Sequence, residues 1–343
     1  MSEYRERLYN LERQYVEGIL KEGVLSEAIH QDISNVLMET CNDFENKATR
    51  IVYYFFDLFH DVNFRSDFLR EPANDVDPKN LSNQINKEEI TQAKNYVERL
   101  LDVDLSSVSI IKLNEQIKEH AEGFCVPCGK EQHYIFYQDD KNGVISTDLI
   151  IHELGHAAEF TISRSEISDN VFNRHPCISE AIAYYCQFRY LLDFGTREQR
   201  MGSFGAFFDA YLKIIICLVC IKHKTPLSDI DIQLVVNSNE CLPIINSYNQ
   251  NSLYTKKFIA DRVAEIKKTH PNLIFLVYHD IAPKFGAALA ILLLNKPQHF
   301  IRKIIDNNIF EKDLKSLVED IISGCHSSIT DLETNFKQYF GSR

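Results

Sequence analysis

The chain has 343 residues, with 37 lysines and arginines against 49 aspartates and glutamates, for a formal net charge of -12. That balance disfavours a generic phosphate-binding surface, so nucleic acid is not an expected partner. A composition of 45% hydrophobic and 25% charged residues excludes disorder for the bulk of the chain and is compatible with two domains, or one large domain with lobes.

The N-terminal stretch MSEYRERLYNLERQYVEG is charged from its third residue and lacks the apolar region of a signal peptide. No uninterrupted apolar run exceeds eight residues, the length of Ile214 to Ile221 between Lys213 and Lys222, against the roughly 20 needed to cross a bilayer. That run reads as a buried helix, and no membrane association is expected. The cytoplasm is therefore the default location, although leaderless secretion would leave the same sequence. The nine scattered cysteines fit free thiols in a reducing compartment.

In chain order, residues 3 to about 70 place Leu8, Leu11, Tyr15 and Ile19, then Val36, Leu37 and Phe44, at helical spacing with charges on the remaining face. This predicts a helical N-terminal lobe, with the run IVYYFFDLF from Ile51 in its core. The stretch 71–83, with two prolines among Asn and Asp, reads as a loop. A helix over about 87–102 follows. Between Ser106 and Gln138 the segments SVSIIKL and HYIFYQ are short and rich in β-branched and aromatic residues, which predicts a small sheet with turns at Gly123 and Gly129. From Thr147 long helical patterns return, interrupted near Arg174-His175-Pro176, Thr225-Pro226 and His270-Pro271. The expected division is a helical lobe over 1–103 and a second region over 104–343, holding the sheet (106–138), a helix pair (147–195) and C-terminal helices (201–340).

The helix pair carries the chemistry. Thr147 to Phe160 reads TDLIIHELGHAAEF, in which His152-Glu153-Leu154-Gly155-His156 forms H-E-x-x-H. Residues four apart on a helix share a face, so the two imidazoles can converge on one cation, for which zinc is the expectation at one per chain. Glu153 points elsewhere and suits a carboxylate that takes a proton from attacking water. A third ligand is required. The metzincin positions hold Glu159 and Ile162, which excludes that class. Glu180 opens the helical run SEAIAYYCQFRYLL, whose Ala181 and Ala183 permit close helix approach, and it is the expected ligand; Glu166 and Asp169 in the polar SRSEISDN segment are the competing carboxylates. Asp148, one turn before His152, is placed to orient that ring. Two Cys-x-x-Cys pairs, Cys125/Cys128 in a glycine-flanked turn and Cys217/Cys220 inside an apolar helix, could together suggest a four-thiolate site, but inert buried thiols fit the second pair better.

On these residues the sequence resembles the thimet oligopeptidase and oligoendopeptidase F family, gluzincin zinc peptidases with H-E-x-G-H and a glutamate ligand on the next helix. DLIIHELGHAAEF is similar to the family's metal helix and ISEAIAYYCQF to the helix that supplies its glutamate. THPNLIFLVYHDIAPKFGAALAIL is similar to a later family segment in which a His precedes a cluster of tyrosines and then small residues. His270 and Tyr278 fall at matching spacing, with Leu276 and Asp280 at two neighbouring aromatic positions. The resemblance implies a zincin-like metallopeptidase, mainly α with a small β-sheet next to the active site, its two helical lobes set around a cleft. It also implies that Tyr278 and His270 bind substrate and brace the tetrahedral intermediate; a phenol is in any case a reasonable donor to an oxyanion.

The expected function is zinc-dependent hydrolysis of internal peptide bonds, with a peptide or protein as substrate and HYIFYQ accepting the substrate backbone as an added strand. A hydrolase of a non-peptide amide or ester would use the same machinery. A non-catalytic, metal-stabilised scaffold would have no need of Glu153. The segments flanking the metal helix are shorter than in the family it resembles, so a shallower cleft that admits exposed loops of folded proteins is expected.

Overall fold

A computed structural model describes residues 3–23, 25–38, 44–61, 85–113, 123–138, 146–164, 174–202, 204–242, 245, 252–270, 272–309, 312–324 and 329–341. The expected loop over 71–83 and the competing carboxylates Glu166 and Asp169 lie outside these residues. The architecture is mostly helical with one three-stranded sheet. Helices α1 (Glu3–Glu22), α2 (Glu27–Met38), α3 (Phe44–Asp61) and α4 (Lys87–Leu101) precede strands β1 (Ser109–Lys112), β2 (Gly123–Cys128) and β3 (Gln132–Tyr137). Helices α5 (Thr147–Arg164), α6 (Pro176–Phe194), α7 (Arg197–Gly202), α8 (Phe204–His223), α9 (Ile232–Val236) and α10 (Ser252–Thr269) follow. The chain closes with α11 (Leu273–Leu276), α12 (Ala282–Leu293), α13 (Gln298–Asn307), α14 (Leu314–Gly324) and α15 (Ile329–Gly341).

Local chemistry sets the helix ends. Asn86 caps α4 by accepting from the backbone N–H groups of Glu88 and Glu89, and the Glu89 carboxylate accepts from the Asn86 N–H in return. This reciprocal pair satisfies donors that a helix start leaves open. The breaks read from proline are real boundaries: His175 caps α6 through Nδ1, which accepts from Cys177 N–H at 3.3 Å, with Pro176 at the first helical position. Pro283 acts differently. It lies in the first turn of α12, where its ring would strike the carbonyl one turn back in a regular helix. The preceding residues Val277–Ile281 open into a π-turn, and Ala282 N–H bonds the Val277 carbonyl five residues back. The stretch Leu273–Leu293 is thus a continuous helical segment of 21 residues, long and apolar enough to cross a membrane, although most of it is buried inside the chain. Reading uninterrupted apolar runs alone missed it, because Tyr278, His279, Asp280 and Lys284 punctuate the segment.

The sheet differs from expectation in two ways. The segment around Cys125, read as a turn, is strand β2, and the strand order is β1-β3-β2 with β1 parallel and β2 antiparallel to β3. HYIFYQ is therefore the central strand, hydrogen-bonded on both sides, and has no edge to offer a substrate; the outer position next to α5 belongs to β2. Alternation then sorts the side chains. Phe124, Val126, Cys128, Tyr134 and Phe136 pack in a cluster with Tyr15, Val16 and Ile19 of α1, whereas Cys125, Ile135 and Tyr137 join the main core over α5. Cys125 and Cys128 thus point to opposite faces, which rules out a shared metal or a disulfide between them. Cys217 and Cys220 are buried in α8.

The N-terminal helix docks through a buried charge that its apolar spacing did not reveal. Glu12, 2% exposed, receives two hydrogen bonds from Arg164 at the end of α5, at 2.7 and 2.8 Å, and one from Gly129 N–H at 2.9 Å. Arg164 also donates to the Gly129 carbonyl. One carboxylate thereby ties α1 to both the β2–β3 hairpin and α5, and stranding either partner of such a pair costs about 3–5 kcal/mol.

Candidate metal centre

Helices α5 and α6 run against each other with almost no space between them. A Cβ on Gly155 would sit 2.7 Å from Ala183 Cα and 3.3 Å from Cys186 Sγ. On the other flank of α6, a Cβ on Gly286 of α12 would sit 2.5 Å from the Cys177 carbonyl oxygen and 2.7 Å from Glu180 Cβ. Two glycines therefore let three backbones close around Glu180, which no larger residue would permit.

This approach brings His152, His156 and Glu180 together, the one group among the described residues with metal-ligating atoms clustered, all within 4.8 Å of one another. His152 Nε2 lies 3.4 Å from one Glu180 carboxylate oxygen and His156 Nε2 lies 3.6 Å from the other. A tetrahedral cation with bonds near 2.1 Å holds neighbouring donors about 3.4 Å apart, so the spacing and the donor set, two imidazoles and a carboxylate, fit zinc with one position left open. The Glu180 side chain keeps 24% of its exposure and His156 15%, so that open position is reachable from solvent.

The charges are balanced to suit a cation. Burial disfavours a carboxylate, yet the two facing imidazoles hold Glu180 below its usual range. Burial pushes His156 down to about 4, keeping it neutral. At His152 burial is outweighed by the Glu180 hydrogen bond and charge, by Glu153 and by Gln187, so its affinity for a proton rises.

Behind the ligands, the orientation of His152 is set by a relay. Its Nδ1 faces the Gln187 side-chain oxygen at 3.2 Å, and the Gln187 amide donates to Asp148 at 2.8 Å. Asp148 was expected to orient His152 directly; instead Gln187 stands between them. With Nδ1–H donating to Gln187, the Nε2 lone pair is directed at the cluster. Gln187→Leu is expected to keep the fold and weaken zinc binding about 10- to 100-fold, measured by competition with a chromophoric chelator. Unchanged affinity would mean that packing alone orients the ring.

Glu153 leaves the same helix in another direction. Its Cγ lies against Gly123, where a Cβ would approach it to 3.5 Å, at the first residue of β2. It is 7% exposed. Tyr184, one turn beyond Glu180, sets its ring edge-on to His152 with centroids 4.6 Å apart. Burial and the nearby Glu180 and Glu153 charges push its phenol well above the ordinary tyrosine range. Sequence reasoning missed both Gln187 and Tyr184, although their spacing of four and seven from Glu180 puts all three on one helical face.

The structure thus brings His152, His156 and Glu180 together, with Glu153 directed instead toward Gly123. It seats Tyr278, on the π-turn, with its ring 6.4 Å from that of His175, in a niche also lined by Lys47, Ile51, Lys312 and Leu314. His270 lies 3.2 Å from Asp280, whose other partners are Lys213 and Lys284. Burial opposes the Asp280 charge, but the two lysines hold it below the usual carboxylate range.

No protein-family model matches the sequence, nor does any curated protein. Among solved structures the chain is similar to PZ peptidase A with a bound inhibitor, at a TM-score of 0.52 and 11% identity, over 98% of this chain and 66% of that one. A Bacillus anthracis str. Ames protein assigned as oligoendopeptidase F gives 0.49 at 10% identity, over 91% and 59%. The M32 carboxypeptidase from Deinococcus radiodurans R1 gives 0.40 at 9% identity, over 99% and 80%. The chain thus spans 59 to 66% of the first two structures. The fold, mostly helical with a small sheet, is thus similar to that of PZ peptidase A.

Proposed function

We propose that the chain is a zinc-dependent endopeptidase of the gluzincin kind, a divergent relative of the thimet oligopeptidase and oligoendopeptidase F group. The observation that carries this reading is the convergence of His152, His156 and Glu180 with Glu153 leaving the same helix toward β2. The lobe over 1–103 would form one wall of the substrate cleft and the region over 104–343 the catalytic body, acting in the cytoplasm or after leaderless export.

His152, His156 and Glu180 would hold the ion, and Gln187 with Asp148 would fix the first imidazole. When bound, zinc supplies Lewis acidity toward a carbonyl and toward water. Glu153 accepts a proton from the attacking water and delivers it to the departing amine nitrogen. Extended peptides would align along the outer edge of β2, beside Glu153, with main-chain hydrogen bonds that do not depend on side chains. Proline at 127 ends the row of N–H donors on that strand, which limits pairing to the part of the edge nearest Glu153.

The purified protein is expected to carry about one zinc per chain by mass spectrometry, and to cleave a peptide library internally, with activity removed by chelation and restored by zinc. His152→Ala and Glu180→Ala should each empty the site. A folded, unchelated sample without metal would sink the proposal, and so would products trimmed only from chain ends.

A further inference from the structure

We propose that Tyr184 supplies the hydrogen bond that braces the oxyanion formed during peptide hydrolysis. This inference rests on the peptidase reading above and names the electrophilic partner that His152, Glu153, His156 and Glu180 lack.

Hydrolysis at this site needs a donor aimed at the carbonyl oxygen as the water oxygen bonds to the carbonyl carbon and the π electron pair moves onto oxygen. The metal-site face of α6 carries Glu180, Tyr184 and Gln187 at positions i, i+4 and i+7. Glu180 is a ligand and Gln187 is committed to His152 and Asp148. Tyr184 is different. It is partly exposed, its ring is fixed edge-on to His152 at 4.6 Å and 72°, and Phe188 packs behind it at 5.3 Å. Its ring touches the His152 imidazole and it lies one turn from Glu180 on the same helical face, which sets it at the rim of the ligand cluster. None of the hydrogen bonds among the described residues engages its hydroxyl. A neutral phenol is one donor, so it can give its hydrogen bond to an incoming oxygen and keep its proton throughout the reaction.

Tyr278 lies beside His175 at the N-terminal end of α6, whereas Tyr184 touches a metal ligand directly. Tyr184 also shares the helical face of the Glu180 carboxylate on α6.

Tyr184→Phe separates the hydroxyl from the ring, because the packing on His152 and Phe188 stays. In the full-length zinc-loaded protein this variant is expected to keep its metal and hold KM within about threefold while losing about 100-fold or more in kcat. A binding measurement needs no turnover. A phosphinic peptide, whose anionic oxygen occupies the oxyanion position, should bind Tyr184→Phe at least about 30-fold more weakly by calorimetry than it binds the parent, while a product peptide binds both equally. Unchanged kcat, or unchanged phosphinic-peptide affinity, would overturn the assignment, as would loss of zinc from Tyr184→Phe. Glu153→Gln run alongside distinguishes the two levels: if it cleaves like the parent, the peptidase mechanism itself fails. If Glu153→Gln is inactive and Tyr184→Phe is not, only the role of Tyr184 falls.

Discussion

Glu153→Gln is expected to lower peptide turnover at least about a hundredfold, the scale on which a positioned general base contributes, while the zinc content and the thermal transition stay those of the parent. The geometry dictates both halves of that result. Glu153 precedes Leu154 on a helix whose His152 and His156 face the cluster, so its side chain cannot reach the point those imidazoles share without unwinding the turn. It lies instead along Gly123, buried to 7% exposure. Glutamine fits the same space, keeps a carbonyl oxygen and loses only the capacity to accept a proton. A variant with the parent's zinc and a hundredth of its kcat therefore isolates the proton transfer. If zinc is lost as well, Glu153 is a ligand, and the site has two carboxylates in its coordination sphere. If kcat is unchanged, water is activated by another group, and the hydrolytic reading loses its base.

What the sequence made legible follows from how local each signal is. H-E-x-x-H places both imidazoles by helical geometry alone, and α4 and the breaks at Pro176 and Pro226 follow from chemistry within a turn or two. Glu180 lies on the next helix and was expected there because Ala181 and Ala183 permit close approach; the structure sets it within 4.8 Å of the two imidazoles. Signals that depend on pairing were less accessible. HYIFYQ read as a strand, but nothing in its composition says that β1 and β2 flank it, so its place in the centre of the sheet emerged only from the fold. Cys125 and Cys128 looked like one unit because they are close in sequence, and strand alternation sets them on opposite faces. Glu12 followed the charged pattern of α1, yet it is buried because Arg164, 152 residues away, meets it there. The π-turn at Val277–Ile281 adds an extra residue to a helical turn, which shifts the phase of everything before Pro283. A spacing comparison across that segment therefore could not tell which face Tyr278 occupies.

Gly155→Ala is expected to weaken zinc binding by about a hundredfold or more and to destabilise the fold, although alanine is the better helix former. Intrinsic propensity favours alanine over glycine in a helix interior by about 1 kcal/mol, so an exposed glycine would yield a more stable variant. Here the new methyl would stand 2.7 Å from Ala183 Cα and 3.4 Å from the Ala183 carbonyl oxygen. Those are backbone atoms and cannot rotate away. Relief requires α5 and α6 to separate by several tenths of an ångström, against the packing of Ile150, Ile151, Leu154 and Ala158 on one side and Ile178, Ile182 and Cys186 on the other, all essentially inaccessible to solvent. Overpacking of this kind costs about 1–3 kcal/mol, enough to reverse the propensity gain. The metal site is affected more than the fold, because His152 and His156 ride on one helix and Glu180 on the other, and a productive ligand set tolerates only about 0.5 Å of misplacement. Ala183→Gly should not rescue the variant, since it removes a side chain while leaving the Cα in the way. Gly155→Val would amplify both losses. Chemical denaturation and zinc titration of Gly155→Ala give the two readings independently. A variant more stable than its parent with full zinc affinity would show that the helices do not pack as closely as described, and that the ligands converge without this contact.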